Sequence, residues 1–110
     1  MTEDTLNEIE AKIRSAESVS EERKRELLQL LGTLKAEVGK LSKTHDEQAR
    51  SIAGFAQLST YEATRTKQNP QSLHHSLEGL RSSVEGIEKS HPKLAQIVNN
   101  ISNTLSNLGI

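Results

Sequence analysis

The stretch from Glu21 to Arg65, EERKRELLQLLGTLKAEVGKLSKTHDEQARSIAGFAQLSTYEATR, decides the fold. No proline interrupts it, and a series of its apolar residues falls at Leu27, Leu31, Leu34, Val38, Leu41, Ile52 and Phe55. The spacing alternates four and three, provided that His45 and Gln48 fill the gap after Leu41 and Ser59 closes the series. Such a strip of side chains is a heptad seam along one side of a helix. The pattern predicts one helix over residues 21–66, about 65–70 Å long at 1.5 Å per residue. Gly32, Gly39 and Gly54 each weaken it by roughly 1 kcal/mol relative to alanine, and Gly54 is the expected place for a bend.

Outward from this stretch the signals are caps and breaks. Thr5-Leu6-Asn7-Glu8 has the form of a capping box, and Thr2 is a second candidate cap. Leu6, Ile9, Ile13 and Ala16 then mark one face of a short first helix, residues 3–17, too small to be stable alone. Ser18-Val19-Ser20-Glu21 is the break, with either serine able to accept from the free amides of the next helix. Asn69-Pro70 ends the long helix and opens a third, residues 70–89, on Leu73, Leu77, Leu80, Val84 and Ile87. After Ser90-His91-Pro92 a fourth segment, residues 92–108, carries Leu94, Val98, Ile101, Leu105 and Leu108, with Gly109 placed as a left-handed terminator. The alternation keeps its phase through His91, so the third and fourth segments read as one arm, kinked or capped at Pro92.

The two seams match in antiparallel order. Leu27 faces Leu108, Leu31 faces Leu105, Leu34 faces Ile101, Val38 faces Val98 and Leu41 faces Leu94. Ile52 with Val84, Phe55 with Leu80 and Ser59 with Leu77 continue the register towards a tip near Asn69. The expected fold is therefore a single all-α domain, a long antiparallel, coiled-coil-like hairpin. Leu28, Leu30 and Ile97 widen the stripe near the termini, so the first helix is expected there as a third member of the bundle. The tip half has only a thin seam. Two helices with so little to bury are marginal in water, so self-association through this half, as a dimer forming a four-helix bundle or a higher oligomer, is expected. Its interface would be Ala49, Ala53, Ala56, Leu58 and Ala63.

The residues exclude more chemistry than they suggest. The 110-residue chain has no cysteine, so thiolate metal sites, disulfides and a cysteine nucleophile are absent. Its 14 basic and 15 acidic residues are well mixed and leave a net charge of −1, which gives no electrostatic basis for gripping a phosphate backbone. A regulatory nucleic-acid binder using Arg14, Arg23, Lys24, Arg25 and Lys35 is the alternative reading. The first fifteen residues are acidic and polar, with no pattern of a signal peptide, and no apolar stretch is long enough to span a bilayer. A cytoplasmic protein without a membrane partner is expected.

The register places His45 opposite His91, with Gln48 in the same layer. Two imidazoles near Asp46 and Glu88 have the chemistry of a zinc or nickel site, but spacing fixes no third ligand. A polar layer that sets register is the favoured role for His45, Gln48 and His91. His74 and His75 are neighbours on a helix and point apart, which suits a surface. No serine follows a nucleophile elbow and no glycine loop cradles phosphate, so no catalytic residue, metal or cofactor is expected.

Ile87-Glu88-Lys89-Ser90-His91-Pro92-Lys93-Leu94-Ala95, and the ending Leu108-Gly109-Ile110, resemble a family of short bacterial proteins of unknown function. Members of that family end in a Ser-His-Pro-x-Leu segment, a helix and a terminal Leu/Met-Gly-Ile. Glu26-Leu27-Leu28-Gln29-Leu30-Leu31 fits as well, while residues 42–72 are long for it. The resemblance implies a small helical cytoplasmic protein of bacterial origin and supplies no functional residue. The function expected from the sequence is a helical scaffold or protein-interaction module, binding itself and, as a further partner, another protein.

Overall fold

Ser20 opens the second helix as the break at Ser18–Glu21 requires: its hydroxyl accepts from the Arg23 amide at 3.2 Å, and Glu21 and Glu22 occupy the positive first turn. Asn69 does the same further on, its side chain accepting from the amides of Gln71 and Ser72, with Pro70 in the first turn. In the computed structural model, which describes residues 2–108, five helices result: α1 (Thr2–Ser15), α2 (Glu21–Ser42), α3 (Asp46–Thr64), α4 (Pro70–Ser82) and α5 (Pro92–Leu108). Helix α1 begins at Thr2, so Thr5 lies inside it and is not its cap. The terminator expected at Gly109 lies outside the described residues.

The long helix expected over residues 21–66 is two helices. Neither proline nor glycine breaks it. At Ser42–His45 hydroxyls compete for the helical carbonyls: Ser42 Oγ donates to the Gly39 carbonyl at 2.9 Å and Thr44 Oγ1 to that of Leu41 at 3.4 Å. The Leu41 carbonyl also accepts from the amides of Thr44 and His45, and His45 leaves the helical region at φ −136°, ψ 61°. Asp46 and Glu47 then suit the start of a new helix. The expected bend at Gly54 is absent, since Gly54 lies inside α3.

The second arm breaks as well. The third helix, expected over residues 70–89, ends at Ser82, and residues 83–90 form a run of turns. Gly86 is the pivot, at φ +90°, a conformation that L side chains rarely adopt. Val84 and Ile87 stay buried within this corner. Pro92 therefore starts α5 instead of kinking a continuous arm.

Together the two corners fold the expected hairpin back on itself. Its halves keep their antiparallel partners. Helix α5 runs against α2, with Thr104 Oγ1 donating to Glu26 Oε1 at 3.2 Å at one end and Lys93 Nζ 3.9 Å from Glu37 at the other. Helix α4 runs against α3, where the Phe55 ring covers Gly79. The tip, however, lies beside the end of α5: Gln68 Nε2 donates to the Leu108 carbonyl at 3.2 Å and to the Ala63 carbonyl at 2.7 Å. The molecule measures 37 × 24 × 21 Å, well short of an extended arm.

Helix α1 fills the space beside α2 and α3 and does not reach α5. It is antiparallel to α2, held by Lys35 Nζ on Asn7 Oδ1 (3.0 Å) and Glu10 Oε1 (2.6 Å). It is parallel to α3, held by Gln57 on Glu8 at 2.6 Å and by Ser18 on the Thr64 carbonyl at 3.1 Å. The three-helix end with α1 against the C-terminal arm is thus replaced by a five-helix bundle in which α3 touches every other helix. The buried side of α3 is made mainly of small residues, Ala49, Ala53, Ala56, Ser59 and Ala63, around Ile52. Small side chains let four neighbours approach one helix, while Leu27, Leu34, Leu41, Leu80, Leu94 and Leu105 close the spaces between them.

Two buried hydroxyls in this core, Ser59 Oγ and Ser102 Oγ, have no hydrogen-bond partner. An unpaired buried hydroxyl costs stability, and alanine is the better helix former. Ser59→Ala is therefore expected to stabilise the fold by about 1 kcal/mol in chemical unfolding; a loss of stability would show that the hydroxyl is satisfied. The second expectation concerns Glu10. Its carboxyl is held below the ordinary value of 4.5, first by the hydrogen bond from Lys35 and then by that from Arg14. A depressed carboxyl contributes stability that is complete above 4.5 and is lost as pH falls through the depressed value. Lys35→Met should return the Glu10 titration, followed by NMR, towards 4.5, and an unmoved titration would mean that Lys35 does not hold it.

Candidate interaction face

Four of the five residues expected at a self-association interface, Ala49, Ala53, Ala56 and Ala63, are buried in the chain's own core. Folding back of the tip half covers them with the chain's other helices, so they are not an open flank. Leu58 alone of the five is exposed, at 45%. It lies on the outer side of α3 with Phe55 at 38% and Tyr61 at 50%. The spacing of three residues keeps all three on one side of the helix. They are the large hydrophobic side chains left exposed among the described residues, and they include the only Phe and the only Tyr in the chain.

The neighbours of α3 frame this face. Helices α1 and α4 both pack on α3 but not on each other, so α3 lies open between them. On the α4 side the Phe55 ring packs against Gly79, where an added Cβ would collide with the ring carbons. On the α1 side the Lys12 ammonium sits 5.4 Å from the centre of the Tyr61 ring, and the Arg65 guanidinium sits 5.8 Å from it. These cations hold the ring by its electron-rich face. Arg65 is itself fixed by Glu62 at 2.9 Å, a bond that raises the guanidinium's already high pKa. At the other end of α3 lie the carboxylates of Asp46 and Glu47, with Arg50 on Asp46 at 2.8 Å. The face is thus an apolar strip with Glu47 beside an Asp46–Arg50 pair at one end and Lys12 beside an Arg65–Glu62 pair at the other.

The histidines behave as the register required in one respect only. His45 and His91 meet, with ring centroids 6.2 Å apart at an interplanar angle of 78°. They do so at the two corners rather than within a continuous hairpin. His45 is exposed there, its Nδ1 2.8 Å from Thr44 Oγ1, while Gln48 and His91 are half-buried. A fully buried polar layer is not what the three residues form. Among the described residues no group of three or more His, Cys, Asp or Glu side chains is placed to hold a metal ion. His74 and His75 are exposed and lean on Glu78, at 2.7 and 3.8 Å.

Of the basic residues considered for nucleic acid, four are engaged with acids. Arg14 and Lys35 bond Glu10, Arg23 lies 3.4 Å from Glu26, and Lys24 lies 3.6 Å from Glu21. No helix among the described residues is long and apolar enough to cross a membrane.

Phe55 and Tyr61 were missed because the heptad series assigned Phe55 inward against Leu80 and passed over Tyr61. The available signal was the three-residue spacing of the two aromatics about Leu58 on a helix whose opposite side is alanine-rich.

No curated protein and no solved structure matches the chain. A family model described as a domain of unknown function, DUF4404, matches residues 27–110, from the first core leucine of α2 to the last residue. The matched span takes in α3, both corners and α5, and on this match the chain belongs to the DUF4404 family.

Proposed function

We propose that this protein is a helical interaction module that docks other protein surfaces on the outer face of α3. The observation that carries the reading is the grouping of Phe55, Leu58 and Tyr61, each more than a third exposed, on one side of one helix. Scattered single hydrophobics on a surface mean little, but a grouped set bordered by charge is the composition of a contact site. The core lends support. On the other helices the large apolar residues are buried or, like Leu28, Leu30, Ile97 and Leu108, packed partly buried against the core.

Helix α3 is fixed by contacts on all its remaining sides, which lowers the ordering cost of binding. A bacterial, cytoplasmic setting belongs to the same reading, supported by the Ser90-His91-Pro92-Lys93-Leu94 resemblance. Nucleic acid is the weaker alternative, since four of its five candidate cations are engaged with carboxylates.

Photo-crosslinking in cells of the source organism tests the proposal. A photoreactive side chain replacing Leu58 or Tyr61 should give protein adducts of defined mass, whereas the same group at exposed Lys89, in the far corner, should not. Equal adducts at all three positions, or none at Leu58 and Tyr61, would contradict a docking role for α3.

A further inference from the structure

Resting on that reading, we infer that the occupant of the α3 face is a second copy of this chain, seated antiparallel across a two-fold axis at Leu58. The face has the symmetry that such a contact needs. A two-fold interface is made from one patch that complements itself. Phe55 lies three residues before Leu58 and Tyr61 three residues after it. An antiparallel pairing centred on Leu58 therefore sets Leu58 against Leu58, and sets Phe55 of each copy against Tyr61 of the other. Two aromatic pairs and one aliphatic pair then cover the three exposed side chains with nothing left over.

The charges select the same orientation. At the N-terminal end of α3 Glu47 stands beside Asp46, which is paired with Arg50; towards its C-terminal end Lys12 and Arg65 lie on Tyr61, Arg65 being paired with Glu62, and exposed Lys67 follows just beyond the helix. Antiparallel seating brings Glu47 of each copy towards Lys67 of the other, while parallel seating would put like charges together. The helix dipoles of the two α3 helices also oppose in this arrangement.

Size sets the strength. Centred on Leu58, residues 52–64 of the two α3 helices overlap, so the helix-on-helix seam is about 20 Å long. A strip of this length with its flanks falls at or below the roughly 800 Å² per partner of a standard stable interface. The dimer should be weak and concentration-dependent, which suits a module that exchanges partners.

The chain has no cysteine, so a single introduced one reports its own neighbours. Leu58→Cys places two thiols at the axis, within reach of a disulfide, and should cross-link rapidly under mild oxidation. Phe55→Cys and Tyr61→Cys should each link poorly alone and link to one another when mixed. Glu47→Lys should weaken the wild-type dimer in sedimentation, and adding Lys67→Glu in the same chain should restore it by swapping both ends. Unchanged helical circular dichroism separates these effects from unfolding. A mixture of Phe55→Cys and Tyr61→Cys that links no better than either alone overturns the antiparallel seating, as does a wild-type chain that stays monomeric across the concentration series. If the purified chain is monomeric while Tyr61 cross-links in cells to a protein of another mass, the docking face stands and the second copy is overturned.

Discussion

One helix can touch four others only if its side chains are small. Along α3, Ala49, Ala53, Ala56, Ser59 and Ala63 turn inward, and this is the constraint on which the bundle depends. Were these positions leucines, α3 could pair with one partner along a seam but could not also admit α1, α2 and α5 at close range. The cost is a thin apolar contribution from α3 itself. Ile52 on α3 and the leucines of α2, α4 and α5 compensate by filling the spaces between helices. On the same side of α3, the small side chain of Ser59 stands in the core with an unpaired hydroxyl.

The corners make that arrangement possible. An extended hairpin would leave the alanine side of α3 in water, so the chain gains by turning at Ser42–His45 and again around Gly86. Each turn uses local chemistry. Hydroxyls draw off carbonyls in the first, and a glycine takes positive φ in the second. The two histidines stand where the corners meet. Burial within one chain thus replaces the helical partner that an extended arm would have required from a second molecule.

How much of this was legible follows from which signals are local. Ser20 and Asn69-Pro70 could be read directly, because a cap is a contact between a side chain and amides two or three residues away. The all-α character was legible from the periodicity, and α5 was found at its full extent. The fold-back was not, because the heptad template absorbed its one warning. Between Leu41 and Ile52 the seam needed His45 and Gln48 as substitutes for apolar residues, and that gap is the first corner. Periodicity is preserved through a turn that keeps the same face inward, so phase alone cannot separate a straight arm from a folded one. For the candidate face, Leu58 was identified but was grouped with alanines that point the other way. Deciding between the two sides of α3 required knowing that four helices, not one, cover it.

The most direct measurement of this account is the distance from the tip of the α3–α4 hairpin to the end of α5. Spin labels at Lys67→Cys and Asn107→Cys, both exposed positions, in chains diluted with unlabelled protein would report it by pulsed electron resonance. With Gln68 bonded to the Leu108 carbonyl, the account predicts a short distance, within about 25 Å after allowing for the label arms and the ~1.5 Å rise per helical residue. An extended hairpin separates the same positions by roughly forty residues of helix, about 60 Å, and a distance of that order would contradict the fold-back and the α3 face with it.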